Sequence, residues 1–84
     1  MISFEDAGWD DYLYWQLTDK AILKKINSLI RDIGRDPFDG IGKPEQLKQN
    51  LSGYWSRRIT DEHRIVYLMD GDDIMIAQCR GHYD

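Results

Sequence analysis

Apolar positions recur along this chain with two different periods, and the change from one to the other divides it. Ile2-Ser3-Phe4-Glu5 alternates and predicts an opening strand. Trp9, Tyr12, Leu13 and Gln16 follow helical spacing and gather aromatic groups on one side, which predicts a helix over residues 7–17. Thr18-Asp19 interrupts that helix and offers N-cap oxygens to a second. In it Ile22, Ile26, Leu29, Ile30 and Ile33 recur at i, i+4, i+7, i+8 and i+11, with Gly34 as the expected stop. Lys20, Lys24, Lys25, Arg31 and Asp32 lie off the stripe and read as a solvated helix face.

The stretch from Asp36 to Pro44 holds Pro37, Gly40, Gly42 and Pro44, which break both periods. Read as a linker, it would leave two pieces of about forty residues, too small to fold alone, so a crossing loop inside one domain is expected. Beyond it the period becomes two. Strands are predicted at residues 45–49, 54–60, 63–68 and 74–80, with turns at 50–53, 60–62 and 70–72. The sum is an α+β fold: an N-terminal strand, two helices covering one sheet face, then a four-stranded antiparallel meander.

Composition sets limits on this picture. The chain has 84 residues, 42% hydrophobic and 12% aromatic, enough for a compact core without staples. Cys79 stands alone in an apolar run; it argues against disulfides and metal clusters and for a buried thiol in a reducing compartment. No apolar run approaches the ~20 residues of a membrane helix, and the opening MISFEDAGWDD lacks the regions of a signal peptide, so a cytoplasmic location is expected. The net charge is −4, and a pI of 5.0 argues against non-specific nucleic-acid binding through a broad basic surface. The charge is uneven, however. Residues 43–67 carry Lys43, Lys48, Arg57, Arg58 and Arg64 against Glu45, Asp61 and Glu62, a local net of +2 that suggests an anion site.

Alternation puts Tyr54, Ser56 and Arg58 on one face of their strand and Trp55, Arg57 and Ile59 on the other. A three-residue turn at 60–62 would set Ile59 opposite His63 and Arg58 opposite Arg64, two like charges facing across strands. Two readings stand. Either a carboxylate or phosphate sits between the two guanidinium forks, or each Arg meets an acidic neighbour such as Glu62 or Asp61. Glu45 adds a carboxylate among cations, and His82 ends the last strand, where it can return to the same edge. One carboxylate, two Arg and one His suit RNA cleavage: base, charge stabilisation and acid, with the 2′-hydroxyl as nucleophile and no metal or cofactor required. The bland reading is a solvated Glu and an idle terminal His. Tyr83 beside His82 suits stacking on a base, or equally a core or dimer contact.

The runs WDDYLYWQ at residues 9–16, GKPEQLKQNLSGYWSRRITDEHRIVY at 42–67 and CRGHY at 79–83 closely resemble the YoeB toxins of the RelE/ParE superfamily. The resemblance covers essentially the whole chain. It implies a metal-independent endoribonuclease, an mRNA interferase that enters the A site of the 70S ribosome and cuts the codon there. Glu45 would be the general base, Arg64 the stabiliser of transition-state charge and His82 the general acid. Lys48 and Arg58 would contact phosphate, and Tyr83 would orient the substrate. The family also implies a YefM/Phd-type antitoxin, a homodimer, and operator DNA bound only through the antitoxin. Asp84, following Tyr83, departs from the family pattern. A non-enzymatic ParE-like inhibitor and an antitoxin-bound co-repressor are the competing readings on the same fold; the Glu45, Arg64 and His82 set distinguishes an enzyme from a binder.

Overall fold

Five strands form one mixed sheet, and two helices cover one of its faces. The computed structural model describes residues 1–82, so the expectations for Tyr83 and Asp84 lie outside the described residues. β1 (Ile2–Phe4) leads into α1 (Asp6–Thr18) and α2 (Lys20–Arg35). Then β2 (Glu45–Gln46), β3 (Tyr54–Arg58), β4 (Arg64–Asp70) and β5 (Asp73–Gln78) run as an antiparallel meander. This is the expected α+β order. β1 lies parallel to β5, with Ile2 opposite Ile74 and Phe4 opposite Ile76, so the sheet order is β1-β5-β4-β3-β2 and both helices lie in the β1 crossover.

α2 follows its apolar stripe. Ile26, Leu29 and Ile33 are buried, and the Asp19 carboxylate caps the helix by accepting the N–H groups of Ala21 and Ile22 at 3.0 and 3.1 Å. Gly34 does not stop it. The helix continues to Arg35, because the Asp36 N–H still finds the Asp32 carbonyl at 2.9 Å.

α1 departs from expectation in part. Its closest contacts to the sheet are Gly8, Asp11 and Trp15. Of the expected Trp9, Tyr12, Leu13 and Gln16 stripe, the aromatic groups do gather, Trp9 stacked on Tyr12 beside Phe4 and Tyr12 packed against the core, but Trp9 is 47% exposed and Leu13 36%. The reason is close backbone approach. A Cβ on Gly8 would stand 2.4 Å from the Ile76 carbonyl oxygen, so the helix backbone rides directly on β5. Asp11 accepts the Cys79 N–H at 3.0 Å and Trp15 Nε1 donates to the Cys79 carbonyl at 2.8 Å. Glycine and a carboxylate thus bring α1 onto β5, beside the buried Trp15.

The core between helices and sheet includes Trp15, Ile26, Ile65, Tyr67, Ile76 and Cys79. It also contains Arg57, fully buried. A buried guanidinium is tolerable only when paired and hydrogen-bonded throughout. Arg57 Nη1 donates to Asp32 Oδ2 at 2.6 Å and to the Ile41 carbonyl at 3.1 Å. Nη2 donates to the Asp36 and Asp39 carbonyls at 2.6 and 3.3 Å, and Nε to the Tyr67 hydroxyl at 3.1 Å. The Tyr67 hydroxyl in turn donates to the Pro37 carbonyl at 2.6 Å. Arg57 thereby folds the 36–42 loop around itself, and Asp32 is its counter-ion rather than part of a solvated face. The basic face expected of residues 43–67 loses one of its cations to the core.

Candidate functional site

The site is built on the sheet face turned away from the helices. With Trp55, Arg57, Ile65 and Tyr67 directed into the core, alternation sends Ser56, Arg58, Arg64 and Val66 to the opposite face. The register then composes two rows. Glu45 stands opposite Ser56, Ser56 opposite Val66 and Val66 opposite Gln78; in the next row Arg58 stands opposite Arg64. The three-residue turn expected at 60–62 sets this register. The Ile59 N–H donates to the His63 carbonyl at 2.9 Å, and Thr60 Oγ1 shapes the turn by accepting the N–H groups of Glu62 and His63, both at 3.1 Å.

Glu45 lies on a strand of two residues, shorter than the expected 45–49. Leu47 adds one rung by donating to the Tyr54 carbonyl at 2.9 Å, after which the chain turns into a short 3-10 segment, Gln49–Leu51. Two non-glycine residues in left-handed conformation flank this strand: Lys43 at φ 54° and Gln49 at φ 59°. Each stores about 1–2 kcal/mol of backbone strain, the kind that clusters where a chain must aim a side chain. An open cleft of about 400 Å³ is lined by Glu45, Gln46, Leu47 and Lys48, so the expected base and one expected phosphate contact share a wall.

His82 arrives from the other side. After β5 the chain runs back along the start of β4: the Arg64 N–H donates to the Gly81 carbonyl at 3.0 Å, and the Gly81 N–H donates to His63 Nδ1 at 2.8 Å. Gly81 takes φ 78°, a conformation that only glycine adopts without cost, and so redirects the tail. His82 itself is exposed, and its carbonyl accepts Gln78 Nε2 at 3.5 Å. The fold thus brings Arg58, Arg64 and the His82 backbone into one neighbourhood. From strand and residue spacings, Glu45 and Arg64 lie about 12 Å apart at Cα, a span for long side chains with a phosphate between them. Arg80 turns away, its guanidinium 3.6 Å from the centroid of the Tyr14 ring.

Two residues were not singled out from sequence. His63 accepts from the tail and packs edge-on to Trp15, ring centroids 4.8 Å apart. Ser56, between Glu45 and Val66, is fully buried, and its hydroxyl has no hydrogen-bond partner among the described residues. Alternation already placed Ser56 on the Arg58 face; nothing in the pattern marked His63. Cys79 is no nucleophile: burial and the nearby Asp11 carboxylate push its thiol up to about 12. Among the described residues, no three His, Cys, Asp or Glu side chains come together to hold a metal ion.

The family model described as a YoeB-like toxin of bacterial type II toxin–antitoxin systems matches residues 4–83, which include every strand and helix but the first two residues of β1. The chain belongs to the YoeB toxin family. It is 64% identical over 80 residues to Toxin YoeB of Escherichia coli K12, covering 95% of each chain. The structure is similar to the YoeB chain in a heterotetrameric YoeB–YefM complex from Staphylococcus aureus, with TM-score 0.91 and 51% identity over 99% of this chain and 97% of that one. It is also similar to a Staphylococcus aureus YoeB dimer, with TM-score 0.89 and 52% identity over 98% and 95% of the two chains. Among the described residues no helix is long and apolar enough to cross a membrane.

Proposed function

We propose that this YoeB-family toxin is an endoribonuclease that cuts mRNA in the ribosomal A site without a metal ion, the whole chain acting as one toxin domain. The observation that carries the reading is the Arg58–Arg64 pair in the row beside Glu45, with Gly81, the residue before His82, accepting the Arg64 N–H. Arginines at facing strand positions suit a phosphate, whose oxygens accept forked donors.

In the proposed step the 2′-hydroxyl of the substrate attacks the adjacent phosphorus while Glu45 takes its proton. Arg64, with Arg58, balances the charge that grows on the phosphorane oxygens. His82 gives a proton to the departing 5′-oxygen as the P–O5′ bond breaks, leaving a 2′,3′-cyclic phosphate and a 5′-hydroxyl. Lys48, on the wall of the Glu45 cleft, would hold a neighbouring phosphate, and Tyr83 would orient the base. Because RNA carries its own nucleophile, no metal-activated water is needed. An acidic protein reaches RNA this way because the ribosome holds the message in place.

A YefM-type antitoxin and a homodimer are the proposed partners, supported by the Staphylococcus aureus YoeB–YefM complex and YoeB dimer. An acidic, folding-on-binding segment suits residues 43–67, which stay net positive by one charge with Arg57 counted to the core. Operator DNA would be contacted through the antitoxin, and the site of action would be the cytoplasm.

Primer extension on an mRNA incubated with the purified protein, with and without ribosomes stalled on it, tests the reading. Ribosome-dependent cuts at the A-site codon are expected, and a message with a 2′-deoxy sugar 5′ to the cut should stay whole. An intact message from a folded protein that still arrests growth would favour a binding inhibitor instead.

A further inference from the structure

We infer that His63 is a positioning residue for the C-terminal segment: its Nδ1, as hydrogen-bond acceptor, fixes where His82 stands. This rests on the reading of His82 as the acid. β5 ends at Gln78, and the residues after it are tied down one bond at a time. α1 holds Cys79 from both sides, through Asp11 on its N–H and Trp15 on its carbonyl. Arg80 rests on Tyr14. Gly81 has no side chain to anchor it, and no described residue stands within 4 Å of where a Cβ would be, so its direction depends on the bonds made to its own peptide groups. These are the Arg64 N–H to its carbonyl at 3.0 Å and its N–H to His63 Nδ1 at 2.8 Å.

The second bond is the shorter, and it is the described side-chain contact to the backbone immediately before His82. Accepting at Nδ1 puts the ring proton of the neutral imidazole on Nε2. The edge-to-face contact with Trp15 fixes the plane of the ring, at 77° between rings, so the lone pair is aimed rather than searching. α1, the start of β4 and the tail thus form one relay: Trp15 orients His63, His63 holds Gly81, and Gly81 presents His82 beside Arg64. A general acid misplaced by about 1 Å can lose on the order of 100-fold in rate, so this bond bears on turnover more than on substrate affinity.

Two variants separate the acceptor from the packing. His63→Leu keeps an apolar group against Trp15 without an acceptor; His63→Asn places an amide oxygen close to where Nδ1 was. In His63→Leu, amide hydrogen exchange at Gly81 should accelerate and kcat should fall by roughly 10- to 100-fold with KM within about threefold. In His63→Asn both should return most of the way to wild type. Unchanged Gly81 protection in His63→Leu, a wild-type kcat in that variant, or a loss carried by KM overturns the inference, as does a His63→Asn no better than His63→Leu. If the wild-type protein cuts no message in the same assay, the ribonuclease reading fails and takes the catalytic half with it. The exchange measurement decides the hold on Gly81 independently.

Discussion

Arg58 and Arg64 stand directly opposite each other across β3 and β4, on the sheet face away from the helices. Like charges directly opposite each other are destabilising. A site kept for function should therefore improve in stability when it is broken. Arg58→Gln is expected to leave the thermal midpoint unchanged or raise it slightly, while lowering cleavage in the primer-extension assay by at least about tenfold. A marked fall in the midpoint would make Arg58 a structural residue.

Arg57, its neighbour in sequence, should behave in the opposite way. Its five hydrogen bonds hold Asp32, Tyr67 and the 36–42 loop. Arg57→Leu takes one donor from the Asp32 carboxylate, which keeps Arg35 and the Ile41 N–H, and leaves several buried carbonyls without this donor; it should cost about 3–5 kcal/mol, read as a shift in the urea midpoint. Arg57→Lys should recover little, since one ammonium cannot reach acceptors arranged around a planar fork.

How much of this was legible beforehand depends on what carries each contact. The α2 stripe, the 60–62 turn and the Arg58–Arg64 register follow from apolar period and loop length, which are local properties. The spacing of α1 finds the Trp9–Tyr12 aromatic side but not the closest contact with β5, because Gly8 and Asp11 make it through backbone approach and a hydrogen bond, neither of which has a hydrophobic signature. Alternation separated Arg57 from Arg58 but gave no sign of which entered the core; its counter-ion, Asp32, is 25 residues away on a helix face that reads as solvated. The shortness of β2 was hidden for a related reason: Lys43 and Gln49 adopt turn geometry that non-glycine residues do not announce.

Acid should weaken the fold through Asp32. Hydrogen bonds from Arg35, then from the Ile41 N–H and Arg57, hold its carboxyl well below the ordinary 3.8. A depressed native pKa contributes stability that is complete above the unfolded value and is lost as pH falls below it. Asp32→Asn should therefore lower the urea midpoint clearly at pH 6 and less at pH 3, so that the variant's pH profile is flatter than that of the wild type. Parallel profiles would contradict this assignment.

Cys79 should be inert in the native state. It is fully buried with its thiol pushed up to about 12, so a thiol-reactive probe at pH 8 should label it only as fast as the protein unfolds, and labelling should accelerate in urea along the unfolding curve. Rapid labelling of the folded protein would place the thiol in a more open setting than the one between Gly8 and Trp15.

The central claim is that His82 supplies the proton to the leaving 5′-oxygen in an Arg-lined, metal-free cleavage. It is tested most directly by replacing that bridging oxygen with sulfur at the A-site cut position, since a thiolate departs without protonation. On the natural message His82→Ala should cut at least about 100-fold more slowly than wild type, and on the 5′-thio message the two proteins should cut at nearly the same rate. An equal deficit on both messages would contradict the account and leave His82 with a role in binding or in holding the tail.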